Sequence, residues 1–223
     1  MSIIFKDLGL IDYKKAWALQ EELFNKVLEA KLSKEKSESV NYLLFCEHPH
    51  VYTLGKSGEK NNLLIDHIQL KAKNATFYKT NRGGDITYHG PGQIVGYPIL
   101  NLENFKLGVK SYIFNLEEAI INTLKEYGIE ASRLAGATGV WLDIDVKTRV
   151  RKICAIGVRV SRYVTMHGFA FNINTDLSYF NYINPCGFID KGVTSMEKEL
   201  NKKIDIEEVK NVLKEKIYKV FGN

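Results

Sequence analysis

Apolar side chains recur at helical spacing in three parts of the chain, residues 12–31, 111–127 and 206–221. In the first part the large apolar side chains fall near one face, and lysines and glutamates take most of the other positions. A stripe of this kind is what an amphipathic helix buries against a core. We therefore expect a helix in each of the three parts.

The ends of these helices carry capping signals. Ser111 is a candidate N-cap for the second helix, and Gly128 is placed to stop it. Asp205 and Glu208 have the spacing of a capping box at the start of the third helix. The sequence thus predicts where two helices begin and where one ends.

Short apolar runs predict strands between the helices, at about 40–46, 139–145, 152–160 and 168–174. Strands and helices are mixed rather than strictly alternating, which is typical of the α+β class. The pattern predicts a mixed or antiparallel sheet with helices packed on it. We expect one domain over residues 1–223, because a chain of this length can bury a sizeable core.

The composition is ordinary for a soluble globular protein, with 45% hydrophobic and 26% charged residues. No run approaches the roughly 18 unbroken apolar residues of a membrane helix. The first residues lack the basic start, apolar stretch and cleavage site of a secretion signal. We therefore expect a cytoplasmic protein with no membrane partner.

The cysteine content favours a reducing compartment. The chain has three cysteines, Cys46, Cys154 and Cys186. An odd, small number argues against a disulfide framework. Each cysteine is then either a small core residue or a reactive thiol.

The net charge of +5 is mild and does not indicate a nucleic-acid partner. Its distribution is more informative, because residues 147–162 hold six basic residues and no acidic one. Such a run could attract an acidic protein. It could equally be a solvated strand edge protected by charge, and the sequence leaves both interpretations open.

The segment from Arg82 to Gln93 has the densest local signal, since five of its twelve residues are Gly or Pro. Glycine allows a backbone to approach a ligand closely, and Thr87, Tyr88 and His89 add hydrogen-bonding groups. The segment does not match either common phosphate-binding loop. It is typical of a pocket wall for an extended, partly apolar ligand, or of a tight hairpin whose glycines serve only the turn.

Cys186 lies between Pro185 and Gly187, on a bend that could present a sulfur and a backbone N–H to a carbonyl. The alternative is a buried structural cysteine. A nucleophilic thiol needs activation, and a nearby cation can supply it. Lys152 is the candidate because it begins an apolar stretch, although most lysines simply lie on the surface.

The other candidate residues favour structural roles. Cys154 alternates with apolar neighbours, so we interpret it as core. Cys46, His48 and His50 alternate and could share a strand face, but Pro49 would disrupt that strand and no suitable fourth ligand is near, so we expect no metal. The sequence does not decide between a structural and a catalytic role for His167.

Four stretches together carry a resemblance to a known family. They are residues 47–55, 82–100, 152–170 and 184–195, and the similarity covers about residues 44–196 in order. In these stretches the chain resembles the lipoyl(octanoyl) transferases, the carrier-protein-dependent octanoyltransferases of lipoate synthesis. It departs from the family pattern at Cys154, where a small residue such as alanine is usual, and at His50, where proline is common.

The resemblance implies a fold of the biotin/lipoate protein ligase type, an acyl-thioester cysteine at Cys186 and its lysine partner at Lys152. It implies no cofactor. The partners it implies are octanoyl-acyl carrier protein and the lipoyl domains of 2-oxoacid dehydrogenase E2 subunits and of the glycine cleavage H protein. The residues it implies for acyl binding are Arg82, Gly83, Gly84, Asp85, Ile86, Thr87, Tyr88, His89, Ala155, Ile156, Gly157, Gly168, Phe169 and Ala170.

The implied reaction is attack of the Cys186 thiolate on an octanoyl thioester, followed by attack of a lipoyl-domain lysine on the acyl-cysteine. Backbone amides near Cys186, with Lys152 or His89, would hold the oxyanion. The basic run at 147–162 would dock the acidic carrier protein. Three alternatives remain: an ATP-dependent lipoate or biotin ligase of the same fold, a module that only binds acyl groups, and a cysteine hydrolase.

Overall fold

The computed structural model describes residues 2–33, 40–184 and 191–222. Those residues contain five α-helices: α1 (Tyr13–Leu32), α2 (His67–Ala72), α3 (Val109–Glu126), α4 (Met196–Leu200) and α5 (Ile206–Phe221). They also contain eleven strands: β1 (Ile3–Leu10), β2 (Asn41–Glu47), β3 (Val51–Leu54), β4 (Thr76–Lys79), β5 (Ile86–His89), β6 (Gln93–Ile99), β7 (Ser132–Leu134), β8 (Ala137–Leu142), β9 (Arg151–Ser161), β10 (Val164–Asn172) and β11 (Gly192–Val193).

The strands form two mixed sheets. The large sheet has the order β1-β2-β6-β10-β9-β8-β7, and the short β11 pairs in parallel with the start of β9. Its pairs are antiparallel apart from β1 with β2 and β11 with β9. The small sheet has the order β4-β3-β5. The expected α+β class, with a mixed sheet and packed helices, is confirmed.

The large sheet is covered on both faces, which explains the apolar run from Tyr42 to Cys46 in β2. Leu43 and Phe45 belong to the core cluster that includes α3 and α5, whereas Leu44 and Cys46 belong to the cluster under α1. Successive side chains of a strand point to opposite faces. A continuous apolar run is therefore needed where both faces are buried.

The three long helices lie where the periodicity predicts them, with one error at a boundary. The third ends at Phe221, and the Asp205 side chain caps it by accepting hydrogen bonds from the N–H groups of Glu207 and Glu208. The other half of the expected capping box is not formed, and the Glu208 carboxylate accepts a hydrogen bond from the Tyr127 hydroxyl at 3.2 Å. Gly128 follows α3 in the left-handed region, at φ +72°. Ser111 is not the N-cap of α3, because the helix begins at Val109 after the extended residue Gly108.

The strand boundaries shift by a few residues from those expected. The run expected at 168–174 begins earlier, at Val164, and ends at Asn172, while the one expected at 139–145 ends at Leu142. Pro49 does interrupt the chain as expected. The strand β2 ends at Glu47 in the large sheet and β3 begins at Val51 in the small sheet, so the proline lies at the crossing between the two.

Two facing glycines create a flat patch in the large sheet. Gly157 on β9 and Gly168 on β10 are directly paired. A Cβ on Gly157 would lie 2.9 Å from the carbonyl oxygen of Gly83, and a Cβ on Gly168 would lie 2.1 Å from the carbonyl oxygen of Gly96. Neither position accepts a side chain without moving backbone, so this patch stays open for the small sheet and for the cavity described below.

We expect Gly168→Ser to destabilise the fold by about 1–3 kcal/mol, because the new side chain would overpack against backbone. The matched control is Gly108→Ser, since no atom lies within 4 Å of a Cβ at that position. Serine is also a good N-cap, so the control should keep or slightly raise stability. Urea unfolding of both variants checks this, and equal midpoints would contradict it.

Candidate active site

A cavity of about 370 Å³ lies between the two sheets. Its wall is mostly apolar, and strands of both sheets and Tyr13 of α1 contribute to it. Most of the residues expected to bind an acyl group line it. These are Arg82, Gly84, Asp85, Ile86, Thr87, His89, Ala155, Ile156, Gly157, Gly168, Phe169 and Ala170. Lys152 lines the same cavity.

Two of the expected acyl-binding residues, Gly83 and Tyr88, do not line the cavity. Gly83 donates its N–H to the carbonyl of Val158 at 2.8 Å and so joins the glycine-rich segment to β9. The Tyr88 ring is buried on the other side of the small sheet, where its hydroxyl lies 2.7 Å from Nδ1 of His50 and its ring stacks on Tyr179. The alternation of β5 explains this, because Tyr88 must face away from its neighbours Thr87 and His89.

Arg82 fixes the shape of the glycine-rich segment. Its guanidinium is buried and donates to the carbonyl oxygens of Thr53, Gly83 and Asp85. A planar guanidinium carries five N–H donors in a fixed fork, so it can hold several acceptors in a defined geometry. Arg82 therefore serves to clasp the segment against β3 while its side chain forms part of the cavity wall.

His89 is buried and both of its ring nitrogens are engaged. Nδ1 lies 2.9 Å from Oε1 of Gln93 and Nε2 lies 3.2 Å from the hydroxyl of Thr53. Burial holds the pKa of His89 well below its usual value, so the ring is neutral. The amide oxygen of Gln93 accepts the one N–H of this ring, which leaves His89 no donor for an oxyanion.

A series of hydrogen bonds leads from His89 to the backbone of Lys152. The Gln93 amide donates to Oδ1 of Asn172 at 2.8 Å, and the Asn172 amide donates to the carbonyl of Thr194 at 3.0 Å. Thr194 in turn donates its N–H to the carbonyl of Lys152 at 2.9 Å. Each side chain in this series donates to the next, and buried hydrogen bonds arranged in this way strengthen one another. They fix the residues after β11 beside the start of β9.

The Lys152 ammonium lies 4.5 Å from the centroid of the Trp141 ring, at the end of the cavity near β11. Ile183 and Lys191 also line the cavity. These two residues precede and follow the segment that contains Cys186. Cys186 itself lies outside the described residues, as does its neighbour Pro185.

The two other cysteines have the properties of core residues. Cys46 and Cys154 are fully buried and free. Burial raises the pKa of each thiol, so neither is a ready nucleophile. The interpretation of Cys154 as core is confirmed.

The alternating group of Cys46, His48 and His50 does not converge. Nε2 of His48 lies 3.5 Å from Sγ of Cys46, whereas His50, just before β3, stacks on Tyr179. Within the ranges that the structure describes, no cluster of His, Cys, Asp and Glu could hold a metal ion. The same ranges contain no helix that is long and apolar enough to cross a membrane.

His167 is a cavity residue in an unusual backbone conformation. It is almost fully buried, has φ +60°, and its Nε2 lies 2.6 Å from Oδ1 of Asn81. Burial lowers its pKa to about 3. It is therefore neutral and cannot act as a cation at neutral pH.

The basic run at 147–162 is not a simple charged edge. β9 pairs on both sides near its start, with β8 and with β11. Arg151 forms ion pairs with Asp143 and Glu199, both at 2.6 Å, and Arg149 also contacts Asp143. The exposed basic residues of the run are Lys147, Arg149 and Arg162.

The chain is similar to known enzymes that attach lipoyl or octanoyl groups to proteins. Residues 12–218 match the family described as lipoyl protein ligase A/B catalytic domain. An octanoyltransferase of Bacteroides fragilis (strain YCH46) is 59% identical over 213 residues, which cover 96% of this chain and 95% of the relative. The chain belongs to the lipoyl protein ligase A/B family. It is accordingly an acyltransferase, and the expected family is confirmed.

Solved structures of this family's fold agree with that assignment. A putative lipoate protein ligase from T. acidophilum aligns with a TM-score of 0.71 at 16% identity, covering 100% of this chain and 86% of that one. A biotin protein ligase from Aquifex aeolicus aligns with a TM-score of 0.51 at 13% identity, covering 99% of this chain and 70% of that one. At such identities the likeness shows the fold alone, and the expected biotin/lipoate ligase fold is confirmed.

We expect stability to fall as the pH is lowered from 7 to 5, because the buried histidines stay neutral. Burial lowers the pKa of His48 to about 4 and that of His167 to about 3. An unfolded histidine titrates near ~6.5, so below that pH the unfolded chain binds more protons than the folded chain. Each histidine then costs up to about 1.4 kcal/mol per pH unit until its folded pKa is reached.

Urea unfolding at pH 7, 6 and 5 tests this expectation. His167→Gln should reduce the slope of the unfolding free energy against pH by about 1.4 kcal/mol per pH unit, which corresponds to one proton. His67→Gln, at an exposed position on α2, is the matched substitution and should keep the slope. A slope that His167→Gln leaves unchanged would contradict the assignment of a buried, neutral imidazole.

Proposed function

We propose that the protein transfers an octanoyl group from octanoyl-acyl carrier protein to a lysine of a lipoyl domain, through a thioester on Cys186. The observation that carries this is a mostly apolar cavity with Lys152 at one end, where Ile183 and Lys191 flank the segment of Cys186. The proposal assigns the acyl chain to the cavity and the reacting carbonyl to the end near Lys152.

The cavity suits a medium-length acyl chain in size and chemistry. Its volume of about 370 Å³ is within the usual range of ligand pockets, roughly 300–1,000 Å³. Ile156, Phe169 and Ala170 offer apolar surface, and the paired Gly157 and Gly168 leave a side-chain-free floor. An apolar chain that enters this space loses its contact with water, which favours binding.

In the first half of the reaction the Cys186 thiolate attacks the thioester carbonyl and the carrier thiol leaves. The Lys152 ammonium stabilises the thiolate, and with nearby backbone N–H groups it stabilises the oxyanion. His89 takes no part in this, since its ring nitrogens are engaged. In the second half the amine of a substrate lysine attacks the thioester carbonyl and gives up a proton, the C–S bond breaks, and the amide forms as Cys186 leaves as the thiolate.

Two protein substrates must visit the same site in turn. The proposed donor is an acidic carrier protein, and the exposed Lys147 and Arg149 offer it a basic surface just before β9, whereas Arg162 lies at the far end of that strand. The proposed acceptors are lipoyl domains of 2-oxoacid dehydrogenase E2 subunits and the glycine cleavage H protein. Alternate visits imply ping-pong kinetics.

The high identity to a protein named octanoyltransferase favours transfer over an ATP-dependent ligase reaction. The fold does not separate the two, because lipoate and biotin ligases share it. A thioester donor is already activated, so the proposed reaction needs no ATP. The presence or absence of an ATP requirement is therefore the deciding observation.

The test is the intact mass of the protein after incubation with octanoyl-acyl carrier protein without ATP. We expect one octanoyl adduct, which disappears when a lipoyl domain is added. Cys186→Ser should abolish the adduct because it removes the nucleophile. Cys154→Ser is the matched control and should keep it, since Cys154 is buried in the core.

An adduct that Cys186→Ser gains as fast as the wild type would place the nucleophile elsewhere, since a serine hydroxyl is a much weaker nucleophile than a thiolate. No adduct without ATP, together with lipoyl-domain modification when ATP and free octanoate are supplied, would replace the transferase with a ligase. Binding of the acyl group without an adduct or turnover would leave only a binding module.

A further inference from the structure

A β-bulge sets Trp141 directly opposite Lys152. Val140 of β8 pairs with Cys154 of β9, but the next residue, Trp141, pairs with Lys152. Ile153 is therefore an extra residue on β9. Bulges of this kind change the direction of a side chain and often occur beside active sites.

The Trp141 ring is itself held in place. The side chain is almost fully buried, and its indole N–H donates to the carbonyl of Ala137 at 2.9 Å. Trp141 also lines the cavity. The ring is thus a fixed surface at the end of the cavity where the proposed chemistry occurs.

The Lys152 side chain packs between the Trp141 ring and Gly139. Its ammonium is 4.5 Å from the centroid of the Trp141 ring, within the range of a cation–π interaction, for which tryptophan is the best partner. A Cβ at Gly139 would lie 3.5 Å from Cε of Lys152, so residue 139 borders the lysine stem. Gly139 has φ +122° and its N–H is held by the Glu117 carboxylate at 2.9 Å.

We propose that Trp141 is a positioning residue, which holds the Lys152 ammonium at the cavity end where the acyl group is transferred. The inference rests on the proposed function and deepens it, because it says what directs the lysine towards the reacting atoms. The indole face attracts the ammonium of Lys152 electrostatically. It therefore supports the role of Lys152 as the cation that stabilises the thiolate and the oxyanion in the first half-reaction.

A double-mutant cycle on the first half-reaction tests this. The readout is the rate at which the full-length protein gains the octanoyl adduct at saturating octanoyl-acyl carrier protein, with no acceptor present. Trp141→Leu should slow this rate by about 3- to 30-fold, and Trp141→Phe by less, since phenylalanine keeps a weaker π face. The same two changes in a Lys152→Met background should alter the residual rate by less than about twofold, because Trp141 acts through Lys152.

Equal losses in both backgrounds would overturn the inference and make Trp141 a part of the cavity wall only. That result would leave the proposed function intact, since the wild type would still form the adduct. A wild type that forms no adduct would overturn both. Unfolding midpoints of all variants identify any loss of folding, and where Trp141→Leu does not fold, the Trp141→Phe pair decides the question by the same comparison.

Discussion

The site depends on one constraint, the close backbone contact that glycines allow between the glycine-rich segment and the large sheet. The glycine-rich segment reaches the large sheet at Gly83, whose N–H bonds to Val158, and Gly157 faces the carbonyl of the same Gly83. Gly157 and its partner Gly168 on the neighbouring strand form the flat patch of the large sheet. A side chain at Gly157 would press on the glycine-rich segment, and one at Gly168 would press on the neighbouring strand β6. Their absence leaves a mostly apolar cavity that reaches from the small sheet to Lys152.

Buried polar groups then hold this open space in shape. Arg82 clasps the segment to β3 through backbone carbonyls, and a chain of amides and one neutral imidazole links His89 to the residues beside Lys152. Such groups are costly to bury unless every donor and acceptor is matched. Because they are matched, the cavity can be apolar inside and still have a defined polar frame. The lysine and its indole partner lie at one end of that frame.

The parts of this arrangement that follow from local sequence could be predicted, and the parts that follow from long-range register could not. Helix periodicity, the Asp205 cap and the break at Pro49 are local, and the structure has them as expected. The start of α3 was missed, because Val109 extends the helix beyond Ser111 after an extended glycine. Period-two alternation along β5 separates Tyr88 from Thr87 and His89, but it could not have excluded Tyr88, since Ile86 has the same parity and still lines the cavity. Trp141 has no such signal, since it looks like any core residue until the bulge sets it opposite Lys152.

The central claim is that the acyl chain lies on the bare glycine patch with its carbonyl beside Lys152. A crystal structure of the protein after reaction with octanoyl-acyl carrier protein, in the absence of acceptor, tests this most directly. We predict an octanoyl chain between the glycine-rich segment and the strand pair at Gly157 and Gly168, with its thioester carbonyl next to the Lys152 ammonium. An octanoyl chain outside this cavity, or a carbonyl remote from Lys152, would contradict the account.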